Sequence, residues 1–155
     1  MFVLFGAPGA GKSTLGQALA QKLNLPLFDV DQMIEDKTGF KRDELWKRAG
    51  ERYYRSIESS VVYELKTGVV ACGGGTVLNQ DNLAHLQTHG QMIYLFCPVE
   101  VLLKRFFNSP RALLQTEPEL RKLLEQRIPI YEKIEAKRID SSQSIEKQLE
   151  ALVHE

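Results

Sequence analysis

The chain has 155 residues, 43% of them hydrophobic, which is enough at this length to build one core and one domain. Twenty basic residues balance twenty acidic ones, so no global field draws the chain to nucleic acid or to a membrane surface, and any anion site must come from local clustering. No apolar run approaches the ~18 residues of a membrane span and the N-terminus shows no signal-peptide pattern, so a cytoplasmic location is expected.

Short apolar runs alternate with longer segments of helical period, the pattern of parallel strands joined by helical crossovers. The first strand is expected at 2–5 (FVLF). A helix then runs from Lys12 to Leu23, with Leu15, Ala18, Leu19 and Leu23 on its apolar face. A strand at 27–29, a helix at 31–37 stopped by Gly39, and a long helix at 42–66 stopped by Gly68 follow. Strands at 69–72, 91–96 and 137–139 alternate with helices at 80–88, 98–107, 117–134 and 143–153. Pro98 and Glu117-Pro118 open two of those helices. The result is a three-layer α/β/α domain over 1–155 around a parallel sheet of about five strands. Such sheets bind ligands at the carboxyl ends of their strands, here 6–14, 29–31, 73–76 and 97–98.

Cys72 and Cys97 lie in apolar runs without metal-type spacing and read as reduced structural thiols. His85, His89 and His154 fall on polar stretches and read as solvated.

The segment GAPGAGKST, residues 6–14, satisfies the complete G-x-x-x-x-G-K-[ST] spacing after a strand and at the opening of a helix. Its glycines, with Ala10 and Thr14 beside them, turn backbone amides toward phosphate oxygens at a helix N-terminus. Lys12 would reach the β and γ phosphates of a nucleoside triphosphate and Ser13 would ligate Mg²⁺. A dinucleotide fingerprint fails, because Thr14 stands where its third glycine belongs.

In PLFDVDQMIE, Asp29 and Asp31 are two apart, so on a strand end both carboxylates would converge on the phosphates. One would hold Mg²⁺ through water and the other would face an acceptor hydroxyl. Asp31 alternatively caps the following helix. Arg55, Arg111 and Arg127 each suit a solvated helix face when taken singly; as a set beside a phosphate loop they suit an anionic acceptor, since guanidinium forks match carboxylates. Gly73, Gly74 and Gly75 at the end of the middle strand let a ligand approach the backbone closely.

Taken together, GAPGAGKST, DVD, GERYYRSIE, GGGT, NSPRALL and RIPIY, from Phe2 to about Asp140, resemble the shikimate kinases of the nucleoside-monophosphate-kinase-like P-loop fold. The resemblance implies transfer of the ATP γ-phosphoryl group to the 3-hydroxyl of shikimate. It implies Lys12 on the phosphates, Ser13 and Asp29 on Mg²⁺, Asp31 as the base, and Arg55 and Arg127 on the shikimate carboxylate beside Gly73–Gly75. Glu58 would orient Arg55 and Trp46 would line the substrate ring.

Arg111 would close over the transferring phosphate from a lid at 108–116, Arg105 would correspond to an adenine-stacking arginine, and the helical segment 31–62 would form the substrate side. Ala112 departs from the family's proline, and the stretch between Arg105 and Arg111 carries Phe106-Phe107 and is about one residue short. ATP and shikimate are thus the expected partners and a monomer the default. A gluconate-type or nucleoside monophosphate kinase, and a nucleotide-binding module without transfer, stand as alternatives.

Overall fold

The computed structural model describes residues 1–109 and 116–153. Arg111, Ala112, His154 and most of the expected lid lie outside the described residues.

Five strands form one parallel sheet: β1 (Phe2–Phe5), β2 (Leu27–Asp29), β3 (Val69–Ala71), β4 (Gln91–Phe96) and β5 (Lys137–Asp140), in the order β2-β3-β1-β4-β5. Consecutive residues of β1, β3 and β4 are buried, and since neighbours on a strand face opposite ways, both sides of the sheet are covered. Eight α-helices among the described residues supply that cover: α1 (Lys12–Leu23), α2 (Val30–Thr38), α3 (Arg42–Ala49), α4 (Glu51–Tyr63), α5 (Gln80–His89), α6 (Val99–Phe107), α7 (Glu117–Lys133) and α8 (Ile145–Val153). The five predicted strands are all present, to within one residue at their ends; β1, β3 and β4 are apolar runs, whereas β5 reads Lys-Arg-Ile-Asp and buries only Ile139.

Helix α1 lies close on the sheet. A Cβ on Gly16 would sit 3.1 Å from Leu27 and 3.3 Å from Leu4, so glycine here brings helix and strands together. The buried face is accordingly Leu15, Gly16, Leu19 and Ala20, while Ala18, expected inside, is half-buried.

Three further expectations are corrected. The long 42–66 helix is two helices. Gly50 takes φ 87° and ψ 167°, a conformation open to glycine alone, and turns the chain between α3 and α4. Helix α4 ends at Tyr63, so Gly68, at φ 84°, is a turn before β3 and not the helix stop; a Cβ there would meet the Pro26 carbonyl at 2.7 Å. Gly39 does end its helix as expected, at φ 80° with its N–H donating to Glu35. His85 is half-buried: its Nε2 lies 2.7 Å from the Leu65 carbonyl oxygen and its ring meets Tyr63 and His89, so it ties α5 to the segment after α4.

Candidate active site

The phosphate loop leaves β1 at the centre of the sheet and enters α1. Gly9 at φ 84° and Gly11 at φ 90° supply its left-handed turns, and Gly11 precedes the helix without a side-chain cap, so the first amides of α1 are offered to a ligand. Lys12 Nζ donates to the Gly6 carbonyl at 2.7 Å, which holds the ammonium over the loop. Arg105 grips the loop from behind, donating to the Gly9 and Ala10 carbonyls at 3.3 and 3.4 Å and to the Ser141 carbonyl at 2.5 Å. The structure thus gives Arg105 a clamping contact between the loop and the turn after β5.

Ser13 Oγ donates to Asp29 Oδ2 at 2.6 Å, while Asp29 Oδ1 accepts from the Gln32 N–H at 3.2 Å. Asp29, not Asp31, therefore caps α2. Val30 already belongs to the helix, so Asp31 sits in its first turn, and helical rather than strand geometry sets its direction. Asp31 still faces the cavity, and its Oδ1 accepts from the Tyr54 hydroxyl at 3.0 Å. Ser13 and Asp29 form a hard-oxygen pair beside the phosphate loop. That is the sparse donor set Mg²⁺ takes when phosphates complete its shell, and among the described residues no group of three or more His, Cys, Asp or Glu offers an all-protein cage.

A cavity of about 560 Å³ lies over these groups, lined by Gly9, Gly11, Lys12, Ser13, Thr14, Asp29, Asp31, Arg42, Cys72 and Gly74 among others. Cys72 and Gly74 bring the 73–75 turn to its wall, and each glycine of that turn makes way for a different side chain. A Cβ on Gly73 would stand 2.7 Å from Asp31 Oδ1, one on Gly74 3.1 Å from Arg127 Nη1, and one on Gly75 2.5 Å from Arg55 Nη2. Three side chains from α2, α4 and α7 thus cross one stretch of backbone that has no room for side chains of its own. The Tyr131 hydroxyl secures the turn by donating to the Gly74 carbonyl at 2.5 Å. Burial pushes that phenol up to about 12, so it stays a donor.

Arg55 and Arg127 meet at this turn but do not themselves line the cavity. Arg55 is anchored by Glu58 at 2.9 Å, and Glu58, 1% exposed, also accepts from Thr76 Oγ1 at 3.0 Å. Arg127 Nη1 is buried without a hydrogen-bond partner among the described residues. Burial, and after it the nearby Arg42 and Arg55 charges, lower its pKa against the opposing effect of Tyr131, yet a guanidinium remains charged. A guanidinium nitrogen buried without a partner in this way is costly unless an anion joins it. Trp46 packs on Tyr54 at 5.5 Å between centroids, and the Arg55 guanidinium lies 5.3 Å from the Trp46 ring.

The structure therefore brings together Lys12, Ser13, Asp29, Asp31, Arg55, Arg127, Trp46 and the three glycines. Sequence reading missed Tyr54, Tyr131 and Arg42. Tyr54 was open to detection, since Tyr54, Glu58, Val61 and Val62 are buried at helical spacing on one face of α4.

The family model described as shikimate kinase matches residues 8–155. The chain is 37% identical to the shikimate kinase of Thermobifida fusca over 91% of this chain and 85% of that one, and 42% identical to that of Microcystis aeruginosa over 83% and 70%. Among solved structures, shikimate kinase from Acinetobacter baumannii in complex with shikimate superposes with a TM-score of 0.86 at 33% identity, covering 99% of this chain and 92% of that one. A gluconokinase from Sinorhizobium meliloti superposes with a TM-score of 0.58 at 15% identity, a likeness of fold alone. With the phosphate loop, the acidic pair and the arginine-crossed glycine turn in one cleft, the chain belongs to the shikimate kinase family.

Proposed function

We propose that the chain transfers the γ-phosphoryl group of ATP to the 3-hydroxyl of shikimate. The observation that carries this is the 73–75 turn. It packs a carboxylate and two guanidiniums against one stretch of backbone beside a phosphate loop, as an acceptor bearing both a hydroxyl and a carboxylate requires. The amides of Gly9 to Thr14 and the Lys12 ammonium hold the triphosphate. Ser13 and Asp29 would hold Mg²⁺, which when bound neutralises phosphate charge.

Arg55 and Arg127 take the acceptor carboxylate, Trp46 lines the ring, and the hydroxyl is thereby presented to Asp31, which orients it and accepts its proton. Tyr54 donates to Asp31 and fixes the direction of its carboxylate. Arg105 acts on the nucleotide side by setting the shape of the loop, and Arg111 in the 108–116 segment serves the transferring phosphoryl group.

Helices within 31–62 form the acceptor wall, and the protein works as a monomer in the cytoplasm. In support, of the exposed large apolar side chains among the described residues, Leu25, Tyr53, Tyr63, Ile130 and Val153, only Tyr53 and Tyr63 share an element, the two ends of α4, and no helix among the described residues is long and apolar enough to cross a membrane.

ADP release measured with shikimate, gluconate, a nucleoside monophosphate or no acceptor tests the reaction, and only shikimate should sustain turnover. For the base, Asp31→Asn should bind ATP normally while kcat falls about a hundredfold or more. Turnover near the wild-type rate would remove Asp31 from that role.

A further inference from the structure

Arg42 is the first residue of α3, and neither a motif nor the carboxylate pair accounts for it. Its guanidinium carbon lies 5.7 Å from the Trp46 ring and 5.9 Å from the Tyr54 ring. Arg55 lies 5.3 and 5.5 Å from the same two rings. Two guanidiniums thus share one aromatic wall. The wall orients them without neutralising them, because a cation held on a ring face keeps its N–H edge for hydrogen bonds.

Arg42 also lines the 560 Å³ cavity with Lys12, Ser13, Asp31 and Gly74. Among the described residues it makes no hydrogen bond and no ion pair, although Glu35 and Asp43 line the same cavity. A first-turn position adds nothing for a cation, since the helix dipole there favours acidic groups. Packing and helix stability therefore leave its charge unexplained.

The charge balance beside the glycine turn is lopsided. Arg42, Arg55 and Arg127 lie close enough that Arg42 and Arg55 both act on the Arg127 charge. Glu58 pairs with Arg55, which leaves two guanidiniums without a carboxylate partner among the described residues. An ionised carboxylate has two oxygens and about four acceptor positions, enough for donors from more than two guanidiniums.

We propose that Arg42 is a third guanidinium of the acceptor site, reaching the acceptor carboxylate from the α3 side and setting the preference for an anionic over a neutral acceptor. This rests on the reading that Arg55 and Arg127 hold that carboxylate. Being stacked beforehand on Trp46 and Tyr54, Arg42 loses little side-chain freedom on binding.

The test is Arg42→Gln in the full chain, with shikimate and its uncharged methyl ester as paired acceptors. Affinity is read from steady-state KM and from the fluorescence of Trp46, the single tryptophan. Loss of one charge-assisted contact should weaken shikimate about tenfold and leave the ester and ATP within about twofold. Arg42→Lys, which keeps the charge, should keep the preference for acid over ester, which a packing role would not require.

Equal losses for acid and ester, or unchanged shikimate binding, would overturn the proposal. Arg55→Ala run in parallel separates the two ideas. If it weakens the acid while Arg42→Gln does not, Arg42 alone is excluded; if it leaves acid and ester equally bound as in the wild type, the carboxylate assignment itself fails.

Discussion

Glu58 directs both its oxygens to the acceptor end of the site, one to Arg55 and one to Thr76, from a position 1% exposed. Removing it would leave a guanidinium without its anchor and a buried hydroxyl without its acceptor. Glu58→Ala should cost roughly 2–3 kcal/mol in urea unfolding, less than a fully buried pair because Arg55 is partly open to water. It should also raise KM for shikimate about tenfold with little change in KM for ATP, since Arg55 would lose its direction. A stability loss with an unchanged shikimate KM would reduce Glu58 to a structural residue.

The pair also shows which site residues a sequence reveals. Lys12, Ser13 and Gly73–Gly75 lie in contiguous motifs whose spacing states their chemistry. Arg42, Tyr54 and Tyr131 work through contacts made between elements, and short-range spacing does not encode those. The Tyr53-Tyr54 pair illustrates this: one ring is 46% exposed and the next 1%, a difference set by which face of α4 meets the core.

At the scale of elements, β1, β3 and β4 were legible because each is a run of apolar residues with a clear end, while the charged β5 was marked only by Ile139 between two helical segments. The helices between β2 and β3 were less so. The amphipathic period continues from residue 42 to residue 66 without a proline, so Gly50 looks like a tolerated interior glycine. Its φ of 87° and ψ of 167° break the helix instead, and the break turns α3 so that Arg42 and Trp46 stack against Tyr54 at the start of α4.

Gly50→Ala tests that role cleanly, because an added Cβ would meet nothing within 4 Å and the penalty is backbone strain alone. Stability should fall by about 1–3 kcal/mol, and shikimate KM should rise more than ATP KM as the α3–α4 angle relaxes. A fully stable variant with normal shikimate affinity would show that the turn does not position the aromatic wall. Asp29 teaches a related point. Asp31 was the cap the sequence offered, and the strand-to-helix transition at Val30 gives that place to Asp29 instead.

At the scale of the molecule, the site is built over a buried group that constrains the working range of pH. Cys72 follows β3, donates its backbone N–H to the Leu4 carbonyl at 3.0 Å and leads directly into the glycine turn. Burial raises its thiol from 9.0 to about 12, with the Lys12 charge opposing. Below pH 9 the thiol is neutral whether the chain is folded or unfolded, so its contribution to stability is fully present. Above pH 9 the unfolded chain releases this proton while the folded chain keeps it, and stability declines until about pH 12 at roughly 1 kcal/mol per pH unit.

Tyr131 adds a decline of the same sign only above its ordinary 10.0, which leaves the interval from 9 to 10 to report Cys72 ahead of that phenol. Cys72→Ala should lower stability at pH 8 by the cost of a small cavity and then follow a shallower alkaline slope. The gap between wild type and variant should therefore narrow by roughly 1 kcal/mol between pH 8 and pH 10 in urea unfolding. Parallel curves over that interval would mean that the thiol titrates alike in folded and unfolded chains, and that the neck between β3 and the glycine turn admits water.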